Sequence, residues 1–194
     1  MARPREFDTN EALTAAMHSF WEHGYESTSV SDLLEAMHLQ KGSLYKAFGS
    51  KHELFIDSLR IYINEMKETT VSLLMSQSTP TAAIRAWVEQ KSELCRTDEC
   101  GKGCLFMNTL IELASEDNEV RTLLLEYLQG MMSFMVGIIE KGQKAGEFRD
   151  DIPAEQLAGL LAIHASGLYV IGRGRIDFLK KHSLTDLVME ILLP

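Results

Sequence analysis

The chain has 194 residues, a formal charge of −9 and 45% hydrophobic residues. This composition excludes a collagen, a low-complexity disordered chain and a small disulfide scaffold. The odd count of three cysteines and the lack of a leader favour a cytoplasmic protein. Apolar runs such as 130–139 and 157–163 are shorter than the roughly 20 residues that cross a bilayer, so no membrane role is expected. The negative net charge also argues against a nucleic-acid-binding function, because DNA-binding domains usually carry a basic surface.

Apolar residues recur at helical spacing along the chain and strand-like alternation is nearly absent, so we predict an all-α fold of about nine helices. Capping residues mark the starts: Asp8, Ser29 and Ser50 each precede an acidic residue by three positions, and Thr79 precedes Pro80. The predicted helices cover about 8–23, 30–37, 41–48, 51–77, 80–95, 104–114, 118–141, 153–171 and 184–193.

The second and third predicted helices are joined by the tight connection 38–40, which is the outline of a helix-turn-helix unit. Any small helical bundle shares this outline, but the distribution of charge along the chain adds evidence for DNA binding. Residues 36–52 contain Lys41, Lys46 and Lys51 and no acid, whereas residues 53–194 carry 21 acidic and 14 basic residues, a net of −7. With Arg3 and Arg5 as an N-terminal arm, the basic groups concentrate where DNA would lie. A solvated face of lysines would give the same local charge.

The stretches 24–33 (GYESTSVSDL) and 39–54 (LQKGSLYKAFGSKHEL) resemble the N-terminal domain of TetR-family transcriptional regulators. The resemblance covers roughly residues 7–55; the rest agrees only in length, helicity and helix order. It implies a helix-turn-helix domain over residues 1–52 and a helical ligand-binding and dimerisation domain over residues 53–194. It further implies a homodimer that binds operator DNA and a small-molecule effector, a repressor rather than an enzyme, with no cofactor and no metal.

The resemblance and side-chain chemistry together assign DNA contacts. Hydroxyls opening the second helix suit phosphates, side chains opening the third helix reach base edges, and a glycine there lets the backbone approach DNA. The predicted DNA-binding residues are Thr28, Ser29, Gln40, Lys41, Gly42, Ser43, Tyr45, Lys46 and Lys51. Two positions depart from the family pattern: His38 replaces a turn glycine, which requires a backbone conformation that glycine tolerates better, and Ala47 replaces a frequent His or Tyr.

Members of this family usually bind a small ligand among the central helices and dimerise through the last two. Candidate pocket residues are Trp87, Met107, Asn108, Ile111, Tyr127, Met131, Phe134, Met135 and His164, and the ten methionines suit an adaptable apolar cavity. Ordinary core packing would give the same spacing. Candidate interface residues are Ala158, Ala162, Ala165, Leu184, Leu187, Val188 and Ile191. Packing within one protomer is the alternative.

Three cysteines, Cys95, Cys100 and Cys104, suggest a redox or electrophile sensor. Lys102 beside a helix start at Cys104 predicts a lowered thiol pKa, and a neighbouring cysteine could close a disulfide. The alternative is that the cysteines are inert, with Cys95 and Cys104 buried as small hydrophobes. A zinc site is disfavoured because the C-x4-C-x3-C spacing lacks a close cysteine pair. Two rival functions remain: a helical interaction module without specific DNA binding, and a thiol enzyme, for which no general base stands at motif spacing.

Overall fold

The computed structural model describes residues 7–94, 101–174 and 184–194. Within these ranges the chain is all-helical, as predicted, with nine α-helices. They are α1 (Thr9–His23), α2 (Val30–Ala36), α3 (Lys41–Phe48), α4 (Lys51–Met75), α5 (Pro80–Leu94), α6 (Leu105–Leu113), α7 (Asn118–Lys144), α8 (Ala154–Arg173) and α9 (Thr185–Leu192). The predicted arm residues Arg3 and Arg5, and Cys95 and Cys100, lie outside the described residues.

Local side-chain caps explain where the helices begin. The Asp8 carboxylate accepts hydrogen bonds from the backbone N–H groups of Asn10 and Glu11. Ser29 and Asp32 form a complete capping box on α2, and the Ser50 hydroxyl accepts from the N–H of Glu53. These bonds satisfy the backbone N–H groups at the start of each helix, which have no partner within the helix. Because such caps can be recognised in the sequence, each predicted helix start lies within one residue of the observed start.

The first three helices and the start of α4 enclose a small hydrophobic core. Phe20, Leu33, Leu44 and Leu54 are fully buried, and the Phe20 ring meets the edge of Phe55 with centroids 5.0 Å apart. This core continues into residues of α6 and α7, so the N-terminal helices rest directly on the rest of the chain. Burial of Leu44 fixes which side of α3 is turned outward.

A second core lies between α5, α7, α8 and α9, where Ile84, Ile139, Leu161 and Leu192 are fully buried. The helix α4 joins the two cores, since it packs against α1 at one end and α5 at the other. At the standard rise of 1.5 Å per residue, its 25 residues span roughly 37 Å. One continuous helix therefore connects the second core to the N-terminal helices.

Two helices, α7 and α8, are long and apolar enough to cross a membrane by length and composition, with 18-residue windows of mean hydropathy 1.5 and 1.2. This differs from the expectation drawn from the short uninterrupted apolar runs. Core helices of globular proteins pass the same test, and both helices contribute to the second core.

Candidate nucleic-acid interface and central cavity

The outward side of α3 and the residue before it form a continuous exposed surface, which we call the recognition face. Its members are Gln40, Lys41, Gly42, Ser43, Tyr45 and Lys46, all exposed, whereas Leu44 and Phe48 on the other side of α3 are buried. A Cβ atom added at Gly42 would meet nothing within 4 Å. Packing within the protomer therefore does not require glycine there, which leaves room for a close approach by another molecule.

The turn before α3 has the backbone conformation that the sequence predicts. His38 has a φ of 52°, the one positive value at a non-glycine position among the described residues. A side chain in the left-handed region is strained, so the turn is held by its surroundings. The N–H of Leu39 donates to the carbonyl of Leu34 at 3.0 Å, which closes the connection between α2 and α3.

Three further predicted DNA contacts flank the recognition face, and the structure corrects one of them. Thr28 is completely buried and its hydroxyl donates to the carbonyl of Gly24 at 2.6 Å, so this side chain closes a turn and is not placed to reach a phosphate. Ser29 is exposed at the start of α2. The Lys51 ammonium lies 4.3 Å from the centroid of the Tyr25 ring, a cation–π contact that orients it beside α3.

Two polar contacts tie the N-terminal helices to the rest of the molecule, and a third joins α4 to α7. The carboxylate of Glu112 in α6 accepts from the backbone N–H groups of Tyr25 and Glu26 at 3.2 and 2.9 Å. The Trp21 indole N–H donates to the Gly103 carbonyl at 3.0 Å. Sequence reasoning missed the contacts of Glu112 and Trp21, because the partners are more than 80 residues apart and no local pattern relates them.

The third contact joins His52 Nε2 at the start of α4 to the carboxylate of Asp117, 2.6 Å away at the start of α7. Burial alone would raise the pKa of Asp117, but hydrogen bonds from the Val120 N–H and from His52 outweigh it and hold the pKa below its usual value. The carboxylate therefore stays ionised at neutral pH and joins α4 to α7.

A central cavity of about 110 Å³ lies among α4, α5, α6, α7 and α8. Five predicted pocket residues line it: Trp87, Met107, Tyr127, Met131 and Met135. Sequence reasoning missed the other lining residues as pocket members: Met66, Thr70, Lys91, Cys104, Phe106, Leu128, Met132, Ala158, Ala162, Ala165, Ser166 and Tyr169. The walls are mainly apolar and rich in methionine, which suits a small apolar ligand.

Four predicted pocket residues lie elsewhere. Asn108 and Ile111 line a separate surface pocket of about 450 Å³, and the Asn108 side chain donates to the Lys102 carbonyl at 2.9 Å. Phe134 packs against the second core. His164 is half-buried, burial lowers its pKa, and its Nε2 has no hydrogen-bond partner among the described residues.

The environment of Cys104 contradicts the predicted reactive thiol. Cys104 is buried, and the Tyr62 hydroxyl donates to its sulfur at 3.3 Å. Burial raises the pKa of the thiol, because a thiolate would lose its hydration, and this outweighs the hydrogen bonds that favour the ionised form. The Lys102 ammonium lies 3.7 Å from Glu22. The predicted lowering of the pKa is therefore wrong.

The predicted interface residues divide into two groups. Ala158, Ala165 and Val188 are buried within the protomer and Ala162 lines the central cavity, so these four face inward and are not placed for contact with a second copy. Leu184 is half-buried, whereas Leu187 and Ile191 are exposed. The exposed large apolar residues of α8 (Leu160, Ile163, Val170 and Ile171) and of α9 (Leu187 and Ile191) are together called the outer apolar face.

Across the ranges that the structure covers, no group of three or more His, Cys, Asp or Glu side chains is arranged to hold a metal ion. The walls of the central cavity hold hydroxyl groups, one thiol and one ammonium. The recognition face and the central cavity are two places where the described residues offer a site.

Comparisons with known proteins agree with this arrangement. Residues 12–57 match the family described as bacterial regulatory proteins, tetR family, and residues 80–174 match the tetracyclin repressor-like C-terminal domain. The transcriptional repressor DhaR of Mycobacterium sp. strain GP1 is 32% identical over 178 residues, which is 90% of this chain and 87% of DhaR. The transcriptional regulator YezE of Bacillus subtilis is 32% identical over 120 residues, so the match spans 62% of this chain and 62% of YezE.

A solved structure extends the similarity to three dimensions. A cysteine-substituted form of the regulator CifR, in complex with 26 base pairs of double-stranded operator DNA, superposes with a TM-score of 0.79 at 26% identity. The superposition covers 98% of this chain and 100% of CifR. Both the N-terminal helices and the helices around the central cavity thus have counterparts in a protein bound to its operator.

Proposed function

Because the chain belongs to the TetR family of transcriptional regulators, we propose that it is a repressor that binds operator DNA as a homodimer and is released by a small molecule. The observation that carries the proposal is α3, which buries Leu44 and Phe48 and turns an acid-free recognition face outward. The operator complex of CifR supports it. Catalysis has no part in this function, and a DNA-binding regulator acts in the cytoplasm.

DNA contacts follow from the exposed side chains. Gln40, Lys41 and Ser43 lie at the start of α3, from which a recognition helix reaches base edges in the major groove. Tyr45 and Lys46, together with Ser29 at the N-cap of α2 and the half-buried Lys51 at the start of α4, would contact phosphates. Residues 1–52 would thus act as the DNA-binding domain, and residues 53–194 as the ligand-binding and dimerisation domain.

Dimerisation is proposed through the outer apolar face on α8 and α9. Ile163 and Leu187 are 73% and 56% exposed in the single protomer, an unfavourable arrangement unless another surface covers them. A second copy related by a two-fold axis would cover the same face and set the two α3 helices roughly 34 Å apart, or a multiple of it, in successive major grooves.

Release is proposed to act through α6 and α4, which line the central cavity on one side and hold the N-terminal helices on the other. The Glu112 carboxylate accepts hydrogen bonds from the backbone of the connection between α1 and α2. A ligand that displaces α6 would therefore also displace the recognition face. A coupling free energy of about 1–3 kcal/mol changes operator affinity by roughly 5- to 150-fold.

The test is a gel shift and footprint on the DNA beside the protein's own gene, with three matched lysine variants. Lys41→Ala is expected to relax base preference, Lys51→Ala to weaken binding to all sequences alike and reduce the salt slope by about 1, and Lys144→Ala, at the far end of α7, to leave binding unchanged. The absence of specific protection at low micromolar protein would refute the repressor and favour an interaction module without DNA binding.

A further inference from the structure

A second and larger cavity lies between α1 and the helices of the body. It has a volume of about 620 Å³, and residues of α1, α4, α5 and α8 line it together with the loop before α6. We call it the α1 cavity, because α1 supplies Thr14, Met17, His18 and Trp21 to its wall. It shares part of its wall with the central cavity, which α1 does not line. A ligand in the α1 cavity would therefore touch the N-terminal helices directly.

The Trp21 indole forms a rigid flat part of this wall. Its N–H donates to the Gly103 carbonyl, and the Tyr62 ring meets it in a T-shaped contact with centroids 5.0 Å apart. The His18 ring lies nearly parallel to it, at an interplanar angle of 12° and a centroid distance of 6.2 Å. Trp21 and Tyr62 are half-buried and His18 is exposed, so part of this aromatic surface stays uncovered. Such a surface suits stacking with a planar aromatic ring.

The charged side chains in the wall disfavour a charged ligand. Lys102 lies 3.7 Å from the Glu22 carboxylate, and the Lys91 ammonium donates to the Gln90 side-chain oxygen at 3.3 Å, so both cations already have partners in the protein. Glu65 is exposed, and water weakens its attraction for a cation. A charged ligand would lose its hydration on entering without gaining a strong counter-charge, whereas an uncharged ligand does not have this cost.

The size and the polar groups of the α1 cavity define the ligand further. Sites for drug-sized ligands have volumes of roughly 300–1,000 Å³; the α1 cavity falls in this range, and the central cavity, at about 110 Å³, falls below it. Thr14 on α1 and Thr69 on α4 bring hydroxyl groups to the wall, and Gln90 on α5 brings an amide. A molecule of two or more aromatic rings with one hydroxyl or carbonyl group matches this volume and these partners.

We infer that the α1 cavity is a second ligand-binding site, and that it takes an uncharged aromatic molecule of two or more rings stacked on Trp21. Such a ligand would contact α1, α4 and α5 at the same time. Since α1 also supplies Phe20 to the core that it shares with α2 and α3, the ligand would restrain the N-terminal helices relative to the body. This site is separate from the route of release proposed through the central cavity, and binding to it does not require the chain to bind DNA.

Calorimetric titration of the full-length protein with three biphenyls of nearly the same shape tests the ligand class. The probes are 4-phenylphenol, which is uncharged at neutral pH, biphenyl-4-carboxylate and 4-phenylbenzylammonium. We expect 4-phenylphenol to bind about 10-fold or more tightly than either ion, because each ion would be buried without a free counter-charge. Equal affinity for the three probes, tighter binding of an ion, or no binding of 4-phenylphenol up to its solubility limit would overturn the inference.

Tryptophan fluorescence tests where the probe binds. The chain has two tryptophans, Trp21 in the wall of the α1 cavity and Trp87 in the wall of the central cavity. With Trp87→Phe, which leaves Trp21 as the fluorophore, 4-phenylphenol should shift the emission to shorter wavelength because the ligand covers the half-buried indole. With Trp21→Phe the emission of Trp87 should not change. A change at Trp87 without one at Trp21 would place the probe in the central cavity and refute the site.

A pair of matched threonine variants tests the site without altering Trp21. Thr69 is exposed at the rim of the α1 cavity, so Thr69→Phe should fill part of the cavity and weaken 4-phenylphenol binding at least about 10-fold. Thr122→Phe is the control, since Thr122 is exposed on α7 and outside the described lining of both cavities. Unchanged affinity in Thr69→Phe would contradict the inference. Circular dichroism checks that each variant is folded, and the titration of the unsubstituted protein decides the ligand class even if a variant is not.

Discussion

Replacing Gly42 by alanine is expected to change folding stability and DNA affinity in opposite directions. Gly42 lies in the first turn of α3, is exposed, and has open space where a Cβ would be added. Alanine in a helix is favoured over glycine by up to about 1 kcal/mol, so we expect a gain of about 0.5–1 kcal/mol, which raises the Tm by roughly 1–4 °C for a chain of this size. Thermal unfolding followed by circular dichroism measures this gain.

On DNA the same methyl group has to fit where the backbone of the recognition face approaches the duplex. A methyl forced into a packed contact costs about 1–3 kcal/mol, so operator affinity is expected to fall by roughly 5- to 150-fold in a gel shift. Gly130→Ala in α7 is the matched control, because a Cβ there also meets nothing within 4 Å. It should raise stability without changing DNA affinity. Unchanged operator affinity in Gly42→Ala would refute the assigned approach to DNA, and a lower Tm would refute the argument from open space.

Three further predictions concern the body of the protein. Gly142→Ala should lower the free energy of unfolding by about 1–3 kcal/mol in urea titration, since its methyl would collide with the buried Phe148 ring, whereas Gly130→Ala should not. Cys104 should react slowly with iodoacetamide at neutral pH and rapidly after unfolding, as mapped by peptide mass spectrometry; fast native labelling would contradict its burial and raised pKa. Burial lowers the pKa of His164 in the folded state. The contribution of the neutral ring to the free energy of unfolding is therefore present above about pH 6.5 and is lost as pH falls below that value. His164→Leu should flatten this pH dependence of stability, and an unchanged slope would refute the argument.

Features encoded within a few residues could be predicted from the sequence. Helix starts at Asp8, Ser29 and Ser50 depend on a side chain and a backbone N–H two or three residues away, so the sequence contains both partners. The turn at His38 is equally local, since a non-glycine residue occupies a position that needs a positive φ. Helix ends were harder to place: α7 was expected to end near residue 141 and extends to Lys144.

Features that depend on tertiary packing could not be predicted. Whether Thr28 meets a phosphate or its own chain depends on burial, which the hydroxyl alone does not reveal. For Cys104 the neighbouring lysine indicated a lowered pKa, but desolvation in the fold has the opposite and larger effect. Lys91 lies on the buried side of α5, and nothing in the sequence showed that this side faces a cavity. The Glu112 contact joins segments that only the folded chain brings together.

The separation of charge between the recognition face and the acidic body also bears on how many copies of such a regulator a cell must keep. With a net charge of −9, most of the surface repels the phosphate backbone, and the acid-free segment 36–52 offers three lysines to non-operator DNA. Few molecules are then sequestered on the vast excess of other chromosomal sites, so the free pool stays close to the total. In the proposed repressor, a small number of dimers would keep an operator occupied, and the same small number would require few effector molecules for release.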